Sequence, residues 1–245
     1  MTSYLRALRV ALGFLTTLPV PLVKEWRDDD LRSAVRAYPV VGLVIGGLLA
    51  LSFALFAPLT PMLRGVLVTA LWLLITGALH FDGFCDLADA AFSPKPPEER
   101  WRVVKDPRVG AFALAAGSLL ILTKVAAIGA LSDAGALIVI PILSRSAVTW
   151  SMASFPVYDS SLLGRRTNLD FSETVLPLAL GLALSVIAAV WLEPPSLLWL
   201  ILSAALTTFL VSTWLNRQMA GLGGDAYGAL VESSEAVMLV VATLY

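Results

Sequence analysis

The sequence predicts an all-α, polytopic integral membrane protein, and three observations predict it. The 245-residue chain is 58% hydrophobic and only 14% charged, whereas soluble domains carry about a quarter charged residues. Its mean hydropathy is +0.83, and its apolar residues come in runs close to the ~20 that a helix needs to cross hydrocarbon. Those runs are continuously apolar, without the period-two alternation of barrel strands. About six to seven transmembrane helices are expected, preceded by an N-terminal amphipathic helix. The expected organisation is one integral membrane domain over 1–245, with 1–37 amphipathic and then polar, and 38–245 a helical membrane bundle. No internal repeat is visible.

Residues 1–37 begin with Leu5, Leu8, Leu12 and Leu15 spaced along one side of a helix. They lack the small-residue cleavage site and compact apolar core of a signal peptide. Pro19 and Pro21 break this helix. Arg6, Arg9, Lys24, Arg27, Arg32 and Arg36 follow one another here, together with Asp28, Asp29 and Asp30. The first span is 38–57, where Gly42, Gly46 and Gly47 make a G-x-x-x-G seam for close helix packing. The second, 62–79, delivers the chain to an acidic stretch. A Pro-rich, then charged loop occupies 93–108. Further spans are 109–131, with Lys124 inside it, and 134–155, with Ser144-Arg145-Ser146. The next are 174–192 and 196–215. A polar loop with Arg165, Arg166 and Asn168 precedes the fifth span. A Gly-rich acidic loop covers 221–232, and a last apolar run reaches Tyr245.

Lys and Arg alternate between the connections. Six lie before the first span, five in 93–108, two in 156–173 and Arg217 after the sixth span, while the intervening connections have none. The positive-inside rule then puts the N-terminus in the cytoplasm and the C-terminus outside it. The acidic stretch, the Lys105–Arg108 turn and the 221–232 loop fall on the same, cytoplasmic side of the cell inner membrane. The net charge of −1 and the absence of a basic cluster give no sign of nucleic acid. The single cysteine, Cys85, excludes an intramolecular disulfide and reads as a small packed side chain.

The chain is organised around 76–92, where Asp82, Asp86 and Asp89 stand at i, i+4 and i+7. On a helix these carboxylates share one narrow face. Three like charges in a stripe repel, so a cation belongs among them, and a hard divalent ion takes oxygen ligands. A merely solvated acidic face does not carry Phe81, Phe84, Cys85, Leu87, Ala88 and Phe92 between its acids. Gly83 leaves room for close approach of backbone or ligand. His80 is an acid–base candidate ranked below the acids, because a lone His is more often packed or capping. Lys105 and Arg108 either snorkel at the membrane edge or hold phosphate oxygens, Arg bidentately. Arg145 lies near mid-span, where a charge needs a partner, and is read against the site's acids or an anionic substrate. Lys124 is read at least equally as a structural pair. If Asp225 opens a helix, Glu232 lies two turns on along its face. Gly224 and its neighbouring glycines can turn backbone N–H groups toward an anion. No P-loop or kinase glycine loop is present. Carboxylates for a metal and cations for phosphates predict metal-dependent transfer of a phosphate-linked group at or within the membrane.

The motifs Y-P-V-V-G-L-V-I-G-G (38–47), L-H-F-D-G-F-C-D-L-A-D-A-A-F-S (79–93), K-D-P-R-V-G (105–110), S-R-S (144–146) and G-G-D-A-Y-G-A-L-V-E (223–232) occur in this order. Together they resemble the cobalamin synthase family over nearly the whole chain. The resemblance implies a late step of cobalamin (vitamin B12) biosynthesis, nucleotide loop assembly. α-Ribazole or its 5'-phosphate joins adenosylcobinamide-GDP, GMP leaves, and adenosylcobalamin or its 5'-phosphate forms. It implies Mg²⁺ held by Asp82, Asp86 and Asp89, with Asp89 favoured to take the hydroxyl proton. Lys105, Arg108 and Arg145 would bind phosphate charge, and Asp225 and Glu232 would complete a second metal position or grip a ribose. The implied partners are these substrates, membrane lipid, and a second copy of the chain or other cobalamin-pathway enzymes. A CDP-alcohol phosphotransferase would need Ala-Arg where Asp86 and Leu87 stand. A cation-coupled transporter would place its acids near the midplane rather than at span ends.

Overall fold

The computed structural model describes residues 2–21, 23, 25, 27, 29–158, 169–189 and 194–244. Lys24, Asp28, Arg165, Arg166 and Asn168, read above as loop residues, lie outside the described residues. The protein is an all-α polytopic membrane protein, and no strand occurs among the described residues.

Helix α1, Thr2–Leu15, buries Ala7, Val10, Ala11 and Leu15. The buried stripe is offset from the leucine stripe read from the sequence, and Leu5 is exposed. Arg6 ties α1 to α2 (Asp30–Ala34) through a two-pronged contact with the buried Asp30, Nε to Oδ1 at 2.7 Å and Nη2 to Oδ2 at 2.8 Å. A 3₁₀ turn, Val35–Ala37, carries the chain into α3, Tyr38–Leu55. Its Gly42 and Gly46 press on the backbone of α8 (Gly135–Ser154). A Cβ at Gly46 would stand 2.6 Å from the Ile138 carbonyl oxygen, so the predicted small-residue seam is a helix–helix contact.

Helix α4, Pro61–Thr76, is capped by Thr60, whose hydroxyl accepts from the Leu63 N–H. It ends in two left-handed residues, Gly77 (φ 59°) and Ala78 (φ 54°). Gly is the ordinary residue there; a second, non-Gly residue in that region is held only by its surroundings. Helix α5, Leu79–Ala91, leaves at 93° to α4. The sequence showed the acidic helix but not this corner. The 93–108 segment, expected as a loop, contains helix α6, Pro97–Val104. Its signals were present: Pro97 in the first turn, Glu98 and Glu99 at the positive end of the dipole and Arg102 at the negative end. The remaining helices are α7 (Ala111–Ala130), α8, α9 (Phe171–Ala189), α10 (Pro194–Met219) and α11 (Gly224–Ala242). The 221–232 stretch, expected as a loop, is therefore mostly the first turns of α11.

Among the described residues, five helical segments are long and apolar enough to cross a membrane, or six if the bent α4–α5 pair is one span. The apolar stretch of α8 is 78% buried against protein, that of α9 and α10 only 22%. Helix α8 is thus the centre of the bundle, with α9 and α10 turning most of their apolar surface outward, as lipid-facing helices do. Trp101 of α6 stacks on Tyr158 with ring centroids 4.8 Å apart, and its indole N–H donates to the Met219 carbonyl at 2.6 Å. A parallel bridge between Val157 and Leu222 closes the same end. These contacts gather α6, the end of α10 and the approach to α11 at one end of the bundle.

Candidate active site

Helices α5 and α11 touch through backbone. A Cβ on Gly83 would lie 2.9 Å from the Asp225 Cα, and one on Gly228 would lie 3.1 Å from the His80 carbonyl oxygen. Only glycines allow that approach, and it carries Asp225 to the aspartate face of α5. Asp82 is exposed, while Asp86 and Asp225 are half-buried. Asp86 stands in the field of Asp82, Asp225 and Asp89, and Asp225 in that of Asp82, with Lys105 the nearby opposite charge. Partly desolvated carboxylates in mutual repulsion form a site for a cation.

Asp89 behaves differently from the sequence expectation. Its Oδ2 accepts from the Gly110 N–H at 2.6 Å and its Oδ1 from the Ala113 N–H at 2.9 Å. Gly110 has no side chain to cap α7, so Asp89 supplies the cap from another helix. Both of its oxygens hold the Lys105–Gly110 turn in place. Nor do three aspartates converge on one ion: among the described residues no three His, Cys, Asp or Glu side chains form a ready metal group. The remaining donors still suit Mg²⁺, which commonly takes one or two carboxylates and fills its shell with phosphates and water.

Lys105 and Arg108 are exposed at this mouth. Arg108 forks onto Asp106, Nε to Oδ1 at 2.9 Å and Nη2 to Oδ2 at 2.6 Å. The Arg108 side chain and backbone N–H together lower the Asp106 carboxyl to about 2. Asp106 therefore stays ionised through the neutral range, and the fork takes two of the five N–H donors of Arg108, leaving three for an anion.

Arg145 and Glu232 are not at the mouth. Both are buried, within an ion cluster between α7, α8 and α11. Arg145 Nη1 donates to Glu235, and at 2.9 Å to Ser144 Oγ. Lys124 Nζ lies 2.6 Å from Glu232 and 2.8 Å from Glu235, and 4.4 Å over the Trp72 ring. Two cations face two anions, which is how charge is tolerated inside a membrane protein. Glu232, expected at a metal or ribose, is instead the partner of Lys124. Glu235 was not singled out from sequence, although a carboxylate three residues after Glu232 on an apolar helix lies on the same face. His80 is buried, with Nδ1 3.5 Å from Arg145 Nη2. A guanidinium can only donate, so Nδ1 accepts and the ring proton sits on Nε2. His80, Arg145, Gly224 and Asp225 line one cavity of about 120 Å³ together with Tyr38 and Tyr227. The two tyrosines were also missed; apolar spacing gave no reason to separate them from core.

A family model described as cobalamin-5-phosphate synthase matches residues 7–243. A curated adenosylcobinamide-GDP ribazoletransferase of Deinococcus radiodurans is 37% identical over 235 residues, 96% of this chain and 84% of the relative. One of Brevibacillus brevis is 35% identical over 239 residues, 94% of this chain and 95% of the relative. One of Pseudomonas aeruginosa is 36% identical over 248 residues, the full length of both. No solved structure matches. With a family match over almost its whole length and full-length relatives above 30% identity, the chain belongs to the cobalamin-5-phosphate synthase family.

Proposed function

We propose that this protein is a membrane-embedded adenosylcobinamide-GDP ribazoletransferase, using α-ribazole or its 5'-phosphate as acceptor. The observation that carries the site assignment is the acidic mouth, where Asp225 of α11 is pressed against the Asp82–Asp86 face of α5 beside Lys105. In the reaction a ribose hydroxyl forms a bond to the phosphorus that bears the aminopropanol arm. The bond from that phosphorus to GMP breaks, and the hydroxyl proton leaves to a base. Asp82, Asp86 and Asp225 would hold Mg²⁺, whose bound charge neutralises the pyrophosphate. Lys105 adds positive charge at the leaving side, and Arg108 joins it through the N–H donors that Asp106 does not take. Asp89 keeps the 105–110 turn aligned as the cap of α7. Of the aspartates on α5, Asp82 and Asp86 rather than the α7-capping Asp89 would accept the proton.

The test is GMP release by the purified protein in detergent, with adenosylcobinamide-GDP and α-ribazole, with and without Mg²⁺. Release that needs both substrates and stops on chelation is expected. Release without ribazole, or unchanged by chelation, contradicts the reading.

The mouth is proposed to face the cytoplasm. A cysteine introduced at Ser93 or Pro96 in a Cys85→Ser background should react with an impermeant thiol reagent only when the cytoplasmic side is open. Labelling from outside intact cells would reverse the topology.

A further inference from the structure

Asp225 reaches the mouth through a turn, 219–223, that contains two left-handed residues, Ala220 (φ 52°) and Gly221 (φ 126°). A left-handed Ala persists only where its surroundings hold it. Trp101 of α6 grips this turn at both ends. Its indole N–H donates to the Met219 carbonyl at 2.6 Å, just before Ala220. The far edge of its ring lies against Gly223, just after the turn. A Cβ there would stand 2.7 Å from Trp101 Cη2 and 3.1 Å from Cζ3. The ring is buried, and its face stacks on Tyr158 at an interplanar angle of 7°. Tyr158 is itself bound to the turn, its N–H donating to the Leu222 carbonyl at 2.8 Å. Beside Trp101, Arg100 Nη1 donates to the Gln218 carbonyl at 3.1 Å. Lys105, at the C-cap of α6, follows one turn after Trp101.

We propose that Trp101 is a positioning residue for the transfer reaction. It fixes the 219–223 turn, and through it the place of Asp225 against Asp82 and Asp86. The inference rests on the transferase reading above and adds to it a residue that acts through Asp225 rather than on substrate. Because Lys105 continues from the same helix, one ring sets both Asp225 and the cation beside it.

The Gly223 backbone is extended (φ −136°, ψ −172°), a conformation open to other residues. The three atoms nearest an added Cβ all belong to Trp101, so Gly223→Ala acts on the indole. Trp101→Phe removes the outer ring edge together with the N–H. The measurements are GMP release, its Mg²⁺ titration, and the rise in melting temperature on adding Mg²⁺ without substrates. Gly223→Ala should lower turnover about tenfold to a hundredfold, the scale of an ångström's misplacement. It should also raise the Mg²⁺ concentration for half-maximal activity and shrink the Mg²⁺-induced melting shift. Trp101→Phe should show the same pattern more weakly. Added to Trp101→Phe, Gly223→Ala should cost less than about twofold more, because the edge it collides with is gone. Equal losses from Gly223→Ala in the two backgrounds overturn the proposal. So does a Trp101→Phe variant that melts lower without metal yet keeps wild-type Mg²⁺ responses, the behaviour of a merely structural tryptophan. If Gly223→Ala fails to fold, the Mg²⁺ responses of Trp101→Phe decide alone. If wild type releases no GMP, the transferase reading fails separately, and the Mg²⁺-induced melting shift decides by the same comparison. A wild type with neither response overturns both.

Discussion

Asp82→Asn, Asp86→Asn and Asp225→Asn should each cut turnover by about a hundredfold or more, the scale of removing one pre-aligned electrostatic group from a partly dry site. Each replacement keeps size while removing charge and weakening a ligand. The Mg²⁺ concentration needed for half-maximal activity should rise for the true ligands, and stay put for a residue that acts only as base. Without metal these variants should melt no lower than wild type, and could only gain, because one member of a repelling set is gone. Asp89→Asn should separate from the other three. Its amide can accept from one of the Gly110 and Ala113 N–H groups but turns a donor toward the other. A stability loss of about 1–3 kcal/mol is expected with or without metal, and activity falls because the 105–110 turn shifts. The checks are GMP release, Mg²⁺ titration and thermal unfolding of the same preparations. Normal turnover in all of Asp82→Asn, Asp86→Asn and Asp225→Asn would remove the acidic mouth from the mechanism.

Glu235→Ala should be the most destabilising single change in the bundle, by about 3–5 kcal/mol. Among the described residues, Arg145 would lose its one carboxylate ion-pair partner, and Lys124 would keep Glu232. The cost arises from the stranded charge rather than from the lost bond, so removing both charges should recover most of it. Arg145→Met combined with Glu235→Leu should therefore melt close to wild type. It should still be impaired in turnover, because His80 and the cavity lose the guanidinium beside them. Thermal unfolding in detergent with parallel GMP-release assays reads both effects. A native melting profile for Glu235→Ala would show that the interior ion cluster does not hold α7, α8 and α11 together.

Much of this protein is legible along the chain because the governing physics is local. A continuous apolar run must be a helix in hydrocarbon, since the backbone has no other way to satisfy its polar groups there. Hence the helices found at 38–55, 111–130, 135–154 and 171–189 lie within a few residues of the runs read from sequence. Asp82, Asp86 and Asp89 share a face as soon as α5 is a helix. A Gly-x-x-x-Gly pair permits close packing without naming its partner, and α8 proved to be that partner.

What tertiary structure alone decided is the assignment of partners. A charge in an apolar run must be paired, but its sequence neighbours do not say with what. Lys124 meets Glu235, 111 positions away, and Glu232 is drawn into that cluster rather than to the mouth. Asp89 looks like a third ligand in the stripe, yet the uncapped N-terminus of α7 claims it across 21 positions. The corner at Gly77 and Ala78 turns the acidic face toward α11, and no local propensity demands a left-handed alanine. By itself the sequence determined that this chain is a helical membrane protein with acids and cations gathered at one end. The fold decided which of them face one another, because burial, backbone contact and charge pairing depend on distances that spacing along a chain does not encode.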